Sequence, residues 1–285
     1  MTEELAQQAR ALLTRHLPEV RIVAEQYLSG GYNNDNFLLT ADDGAWVVRL
    51  PRLVPQRAAA ERELAALRLA SHEGIGAELV HHDPATGALV TRALPGSAVG
   101  DLPIEQWPEP AQPGHLLARL HATRGEFADN SDGPDQQIGR WLRQARALRL
   151  PLPPNAEQIV AACAPQWSCW CHCDLNPWNF LASPTGLYLI DWEWARIADP
   201  RFDLANLALL FGYENDAVSA LLESWNAICA EPLGPIDAAD LGPWLELVRL
   251  REYLWAALAV ANGNNRAEIV EQRDQRWREL GQRGT

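Results

Sequence analysis

No run of about 18 apolar residues, the length a helix needs to cross a bilayer, occurs in this 285-residue chain. A membrane-spanning helix is therefore not expected. The start, Met1-Thr2-Glu3-Glu4-Leu5, is acidic and amphipathic, without the basic lead and continuous apolar stretch of a secretory signal. A cytoplasmic location is expected. Basic residues are outnumbered, 24 against 37 acidic ones, for a net charge of −13. That balance argues against nucleic acid and anionic membrane as partners and suits a cationic small molecule. The five cysteines are an odd number, consistent with reduced, unpaired thiols. Cys169, Cys171 and Cys173, with His172 among them, sit too close together for a zinc knuckle, so no zinc is expected. On a strand they would share one face as three small buried side chains. Internal repeats and low-complexity tracts are also missing.

What is present fits an α+β chain. Hydrophobic residues make up 47%, enough for real cores, and the length suits two units of about 150 residues. Residues 3–16 form an amphipathic helix with Leu5, Ala9, Leu12 and Leu13 on one stripe. Residues 21–28, 36–40 and 45–50 read as strands, with Asp42-Asp43-Gly44 as a hairpin turn. A helix at 57–70 and short strands at 79–80 and 88–91 follow. From about residue 112 helices dominate: 113–123, 135–148, 155–163, 201–211, 215–230, 237–261 and one near 265–280. A β-rich island at 168–191 interrupts them. The segment 95–113, with five prolines, reads as a linker or flap.

Chemistry concentrates in that island. His172-Cys173-Asp174-Leu175-Asn176-Pro177-Trp178-Asn179 is followed, beyond an apolar strand, by Ile190-Asp191-Trp192-Glu193. Phosphoryl transfer from ATP needs a carboxylate beside the attacking hydroxyl and hard oxygen ligands for Mg²⁺. A His-x-Asp-x-x-x-x-Asn loop with a carboxylate at a neighbouring strand end supplies both. These segments resemble the aminoglycoside phosphotransferase and choline kinase superfamily, whose pattern is close to His-x-Asp-Leu-x-x-x-Asn and then Ile-Asp-Trp/Phe-Glu. Asp199-Pro200-Arg201-Phe202-Asp203 matches the segment that follows in that superfamily.

The resemblance implies a protein-kinase-like, two-lobed fold. Its small lobe, 1–92, would hold an antiparallel sheet, one helix and the nucleotide. A hinge at 93–96 would lead to a larger helical lobe, 97–285, carrying a catalytic hairpin and the acceptor site. Asp174 is then the catalytic base, His172 orients the loop, and Asp203 braces it. Asn179 and Asp191 become the Mg²⁺ ligands. Ser29, Asn33 and Asn34 lie where the phosphate loop belongs, although Gly-x-Gly-x-x-Gly is absent. Arg49 takes the place of the phosphate-contacting lysine, its planar fork suiting two phosphate oxygens. Glu63 is its expected partner and Glu61 the alternative. Backbone groups at Arg92, Ala93 and Leu94 would read the adenine edge. His121 reads as a packed structural residue.

The acceptor is less defined. The segment 190–195 and Arg49 lean toward the choline and thiamine kinase branch, which implies a choline-, ethanolamine- or thiamine-like cation held between aromatic faces and a carboxylate. Trp178, Trp192, Glu193, Glu252 and Trp255 are the candidates, with Glu252 and Trp255 on one helix face. An aminoglycoside, sugar or amino-sugar acceptor is the alternative. A catalytically silent binding module would need a missing ligand or base, and none is missing.

Overall fold

The computed structural model describes residues 2–28, 33–123, 133–166, 168–229 and 234–282. In chain order the elements begin α1 (Thr2–His16), β1 (Ile22–Leu28), β2 (Asn34–Ala41), β3 (Gly44–Pro51), α2 (Arg57–His72), β4 (Leu79–His82), β5 (Leu89–Arg92) and β6 (Ser97–Ala98). They continue with α3 (Ala111–Ala122), α4 (Pro134–Ala147), α5 (Ala156–Ala161), β7 (Cys169–Cys171), β8 (Phe180–Ser183), β9 (Gly186–Leu189) and β10 (Arg196–Ala198). The last four are α6 (Pro200–Leu210), α7 (Asn215–Cys229), α8 (Gly242–Ala261) and α9 (Ala267–Gln282). The chain is α+β, as the sequence implied. It divides into two compact units, one of Met1–Trp107 with Trp178–Trp194, the other of Pro108–Pro177 with Ala195–Thr285. The first unit thus extends past residue 96 and takes in the hairpin that the sequence grouped with the helical part.

The first unit is built on an antiparallel sheet in the order β1-β2-β3-β5-β4. β2 and β3 form a tight hairpin with Ala41 opposite Gly44. Gly44 sits at φ +155°, a backbone conformation that side chains rarely adopt, so the turn favours glycine. This unit carries two helices, α1 and α2, where the patterns at 3–16 and 57–70 placed them, one more than the family resemblance implied. The stripe Ala6, Ala9, Leu12 and Leu13 of α1 is buried in one cluster with Phe37, Leu39, Trp46 and Val48. Truncating a core leucine such as Leu13 costs about 2–5 kcal/mol, which is why a stripe this apolar docks instead of staying solvated. β6, β8 and β9 make a separate three-stranded sheet.

The proline-rich stretch is not an unstructured linker. Ser97 and Ala98 pair with Ala182 and Leu181, and two short 3-10 turns follow at Val99–Asp101 and Ile104–Gln106. Trp107 Nε1 donates to Leu102 O at 3.1 Å. The prolines fix φ between these elements without removing a needed donor.

In the second unit α3 packs on α7, and α8 packs against α4, α5, α6 and α9. α8 is buried nearly all round, the mark of a central helix. It starts at Gly242, not at 237. The Asp237 carboxylate accepts the N–H groups of Ala239 at 2.8 Å and Asp240 at 3.1 Å, closing a turn that competes with helix. The β island splits between units: β7 pairs with β10, a strand the sequence pattern did not reveal.

Candidate active site

In the first unit a charge cluster forms where β3, α2 and the turn after β9 meet. Arg49 Nη1 lies 2.5 Å from Glu63 Oε1 and 3.7 Å from Asp191 Oδ1. Glu61, the alternative partner, instead meets Arg57 at 2.7 Å on the exposed helix face. The Arg49 and Glu63 side chains are 16% and 8% exposed. Burial alone would lower the Arg49 pKa, but Glu63, Asp191 and Glu193 outweigh it and the net direction is up. The cation is permanent in any case, since guanidinium does not deprotonate in proteins. The chain has no lysine at all, so arginine carries every such role.

Asp191 sits at φ +63°, in the left-handed region that costs most side chains energy but that Asp tolerates better than most. Ile190 N donates to Asn179 O at 3.0 Å and Leu189 N to Ile75 O at 2.7 Å, fixing the strand end beside Asn179. Asn179 is buried, whereas the Asp191 side chain is 42% exposed. Together they offer an amide and a carboxylate, hard oxygen donors of the kind Mg²⁺ takes.

Asn33 Nδ2 donates to Glu193 Oε1 at 3.0 Å, so Glu193 is tied to the segment just before β2. Asn34 opens β2 opposite Pro51. Ser29 lies outside the described residues. Arg92 closes β5, its guanidinium 4.7 Å from the centre of the Trp46 ring. The N–H groups of Arg92 and Ala93 donate to Glu78 O and Ala45 O at 2.9 Å each, inside the sheet. Leu94 follows, half-buried. Trp178 is 58% exposed, and its Nε1 donates to Asp101 Oδ1 at 3.1 Å. The indole leans so close on Gly100 that a Cβ there would lie 2.5 Å from it. Trp192 is fully buried near Gly76 and Ala70, which makes it a packing residue.

The second unit holds the loop 172–177. The Asp203 carboxylate, buried on α6, accepts His172 N at 2.7 Å through Oδ2 and Cys173 N at 2.8 Å through Oδ1. Two backbone donors that no ladder could pair are thereby satisfied. His121 Nε2 lies 3.1 Å from the same Oδ2, and Trp225 Nε1 lies 2.9 Å from His121 Nδ1. Indole N–H only donates, so Nδ1 accepts and the ring proton resides on Nε2, which donates to Asp203. His121 is buried with both ring nitrogens engaged, one of them with a carboxylate partner that the sequence did not reveal. One turn beyond Asp203, Asn206 Oδ1 accepts Leu175 N at 2.6 Å. Asp203 and Asn206 stand three apart on one helix, a signal that the sequence did contain. Cys173 takes φ +62°, bending the chain into the loop. His172 is fully buried beneath it.

Asp174 is partly exposed. Both terminal nitrogens of Arg251 lie 3.4 Å from its Oδ1, and Asn176 Nδ2 lies 3.3 Å from its Oδ2. Arg251 Nη1 also donates to Glu252 Oε1 at 2.6 Å, while Gln272 Nε2 donates to Glu252 Oε2 at 2.7 Å. Burial would lower the Arg251 pKa, but Glu252 and Asp174 together raise it. Glu252, a candidate for holding a cationic acceptor, therefore has both carboxylate oxygens engaged inside the protein. Trp255 is half-buried on the same helix.

Cys169 and Cys171 share a face of β7, with sulfurs 3.8 Å apart and 3.7 and 3.5 Å from Ala198 O. Among the described residues, the His/Cys/carboxylate cluster close enough to share a metal is His121 with Cys169 and Cys171, not the sequence run through His172. Both ring nitrogens of His121 are already hydrogen-bonded, so it offers no lone pair to a metal. Burial pushes the Cys171 and Cys173 thiols well up, keeping them neutral.

Residues 25–233 match the family described as Phosphotransferase enzyme family (APH). This chain belongs to that family. It is also 26% identical to Protein LicA of Haemophilus influenzae over 215 residues, a match covering 69% of this chain and 61% of that protein. The chain thus spans less than two thirds of that relative's length. Its fold is that of a choline/ethanolamine kinase family protein from Mesorhizobium loti, with TM-score 0.76 and 24% identity over 97% of this chain and 93% of that one. Choline kinase LicA from Streptococcus pneumoniae superposes with TM-score 0.72 at 19% identity, covering 98% and 99%. Among the described residues no helix is long and apolar enough to cross a membrane.

Proposed function

We propose that this protein is an ATP-dependent small-molecule kinase that transfers the γ-phosphate to a hydroxyl of a small cationic acceptor of the choline, ethanolamine or thiamine type. The observation that carries the reading is the Arg49 guanidinium held by Glu63 at 2.5 Å beside the Asp191 carboxylate at 3.7 Å. Phosphate recognition needs a fixed cation next to a metal-binding carboxylate, and in this reading Arg49 and Asp191 would be those groups. Asn179 and Asp191 would hold Mg²⁺, which when bound neutralises charge on the phosphate oxygens. Asn33 and Asn34 would face the phosphates, Asn33 being tethered by Glu193. Adenine would be read by Leu94 and by carbonyl groups at Arg92 and Ala93, since the N–H groups of those two are used in the sheet.

Asp174 would orient the acceptor hydroxyl and take its proton as the bond to phosphorus forms. Asp203 and Asn206 hold the loop that presents it, and His172 fills the space below. Family membership and the likeness to proteins described as choline kinases support the acceptor class. Of the aromatic candidates, Trp255 and the exposed Trp178 remain suited to a cation, whereas Trp192 packs the core. The test is a mass-detected screen with Mg²⁺–ATP against choline, ethanolamine, thiamine, kanamycin and simple sugars. Phosphorylation of one of the cations is expected. Transfer only to the aminoglycoside or a sugar would replace the acceptor class, and no transfer to any acceptor would refute the kinase reading.

A further inference from the structure

Asp174 is a carboxylate on a loop, and a carboxylate rotates freely about its last bond unless something holds it. One of the groups that hold it comes from 77 residues away. We propose that Arg251 on α8 is a positioning residue for the reaction, fixing the orientation of the Asp174 carboxylate and itself held by Glu252 and Gln272.

Four observations carry this. Both Nη atoms of Arg251 straddle one oxygen, Oδ1, at 3.4 Å, leaving Oδ2 with Asn176 at 3.3 Å as the oxygen nearer the loop's own polar groups. Arg251 is buried, so its charge is desolvated and its partners matter more than on a surface. Its second partner, Glu252, is the neighbouring residue, a spacing at which side chains on a helix do not normally face each other. The contact at 2.6 Å therefore reflects two side chains drawn together, and Gln272 of α9 at 2.7 Å fixes the far oxygen of Glu252. The chain Gln272–Glu252–Arg251–Asp174 runs from α9 through α8 to the loop, each step a hydrogen bond or ion pair. A planar guanidinium is suited to this, because its rigid fork sets direction as well as charge.

The inference rests on Asp174 being the base, and its test separates the two. Arg251→Lys keeps the charge and loses the fork. Arg251→Met with Glu252→Gln removes both buried charges at once, so neither is left uncompensated. Each is made in the parent and in Asp174→Asn, and kcat, KM for the acceptor and ATP affinity by calorimetry are measured with the best acceptor among choline, ethanolamine, thiamine and kanamycin. In the parent, Arg251→Lys should lower kcat about 10-fold and the double replacement about 10²-fold, with ATP affinity within about 2-fold. In the Asp174→Asn background the same replacements should cost less than about 2-fold, because a residue acting only through Asp174 has nothing left to position. A merely structural arginine would cost the same in both backgrounds, and that equality overturns the proposal. So does a parent-background Arg251→Lys that turns over normally. If Asp174→Asn itself retains full turnover, the base assignment falls and this inference with it. An Arg251 effect missing while Asp174→Asn is inactive refutes the positioning role alone.

Discussion

Replacing Asp203 by Asn keeps shape and volume and removes one charge, so its cost can be worked from the contacts. The carboxylate accepts His172 N at 2.7 Å and Cys173 N at 2.8 Å on different oxygens, with His121 Nε2 at 3.1 Å. An amide has only one acceptor oxygen. Its NH₂ group must face one of those backbone donors, leaving a buried N–H unpaired at about 1–3 kcal/mol. The bonds that remain lose their charge assistance, from about 1.5–3 to about 0.5–1.5 kcal/mol each. Together the loss is about 3–6 kcal/mol, a large part of a typical total of about 5–15. At about 2–4 °C per kcal/mol for a unit of this size, the transition should fall by roughly 10 °C. Circular dichroism melts and urea titrations of the parent and Asp203→Asn measure it, with Asp203→Ala expected to be worse. A loss under about 1 kcal/mol would show that the two loop N–H groups find other partners, and the account of how the loop is held would be wrong.

Asp191→Ala should abolish phosphoryl transfer while the protein stays folded, with a melting temperature lowered by only a few degrees, because the side chain is 42% exposed but alanine tolerates its φ of +63° less well than Asp; near-parental transfer would remove it as a metal ligand. Asp174→Asn should lower kcat by at least ~10²-fold with ATP affinity changed only a few-fold, read by turnover and calorimetry. Arg49→Ala should chiefly weaken nucleotide binding, and Glu63→Gln should do so less, with ADP calorimetry as the readout. The native protein should react with less than about one equivalent of a thiol reagent at pH 8, since all five cysteines are buried and Cys163 and Cys229 are pushed up to about 12 and about 11. A raised thiol pKa gives stability that is present below the unfolded value of 9.0 and is lost as pH climbs toward those numbers, so urea midpoints should fall above pH 9 and stay flat just below it.

The amino-acid sequence by itself determined the local parts. Alternating apolar residues specified β2 and β3, Asp42-Asp43-Gly44 specified their turn, and the stripe Ala9, Leu12, Leu13 specified the buried face of α1. The order His172, Asp174, Asn179, Asp191, Asp203 was legible because loop, strand end and helix start are short-range patterns. Tertiary structure alone decided who meets whom across long separations. Arg251 reaches Asp174 over 77 residues, and Trp225 reaches His121 over 104. In sequence Arg251-Glu252 is only a charged pair inside an apolar helix, and His121 only the polar end of another. The choice of Glu63 over Glu61 also waited on packing, because both lie on one helix and only the face turned to β3 decides between them. The split of the island 168–191 between two units was hidden for the same reason. Strand pairing depends on partners such as β6 and β10, two and three residues long, whose own sequence carries too little periodicity to announce them.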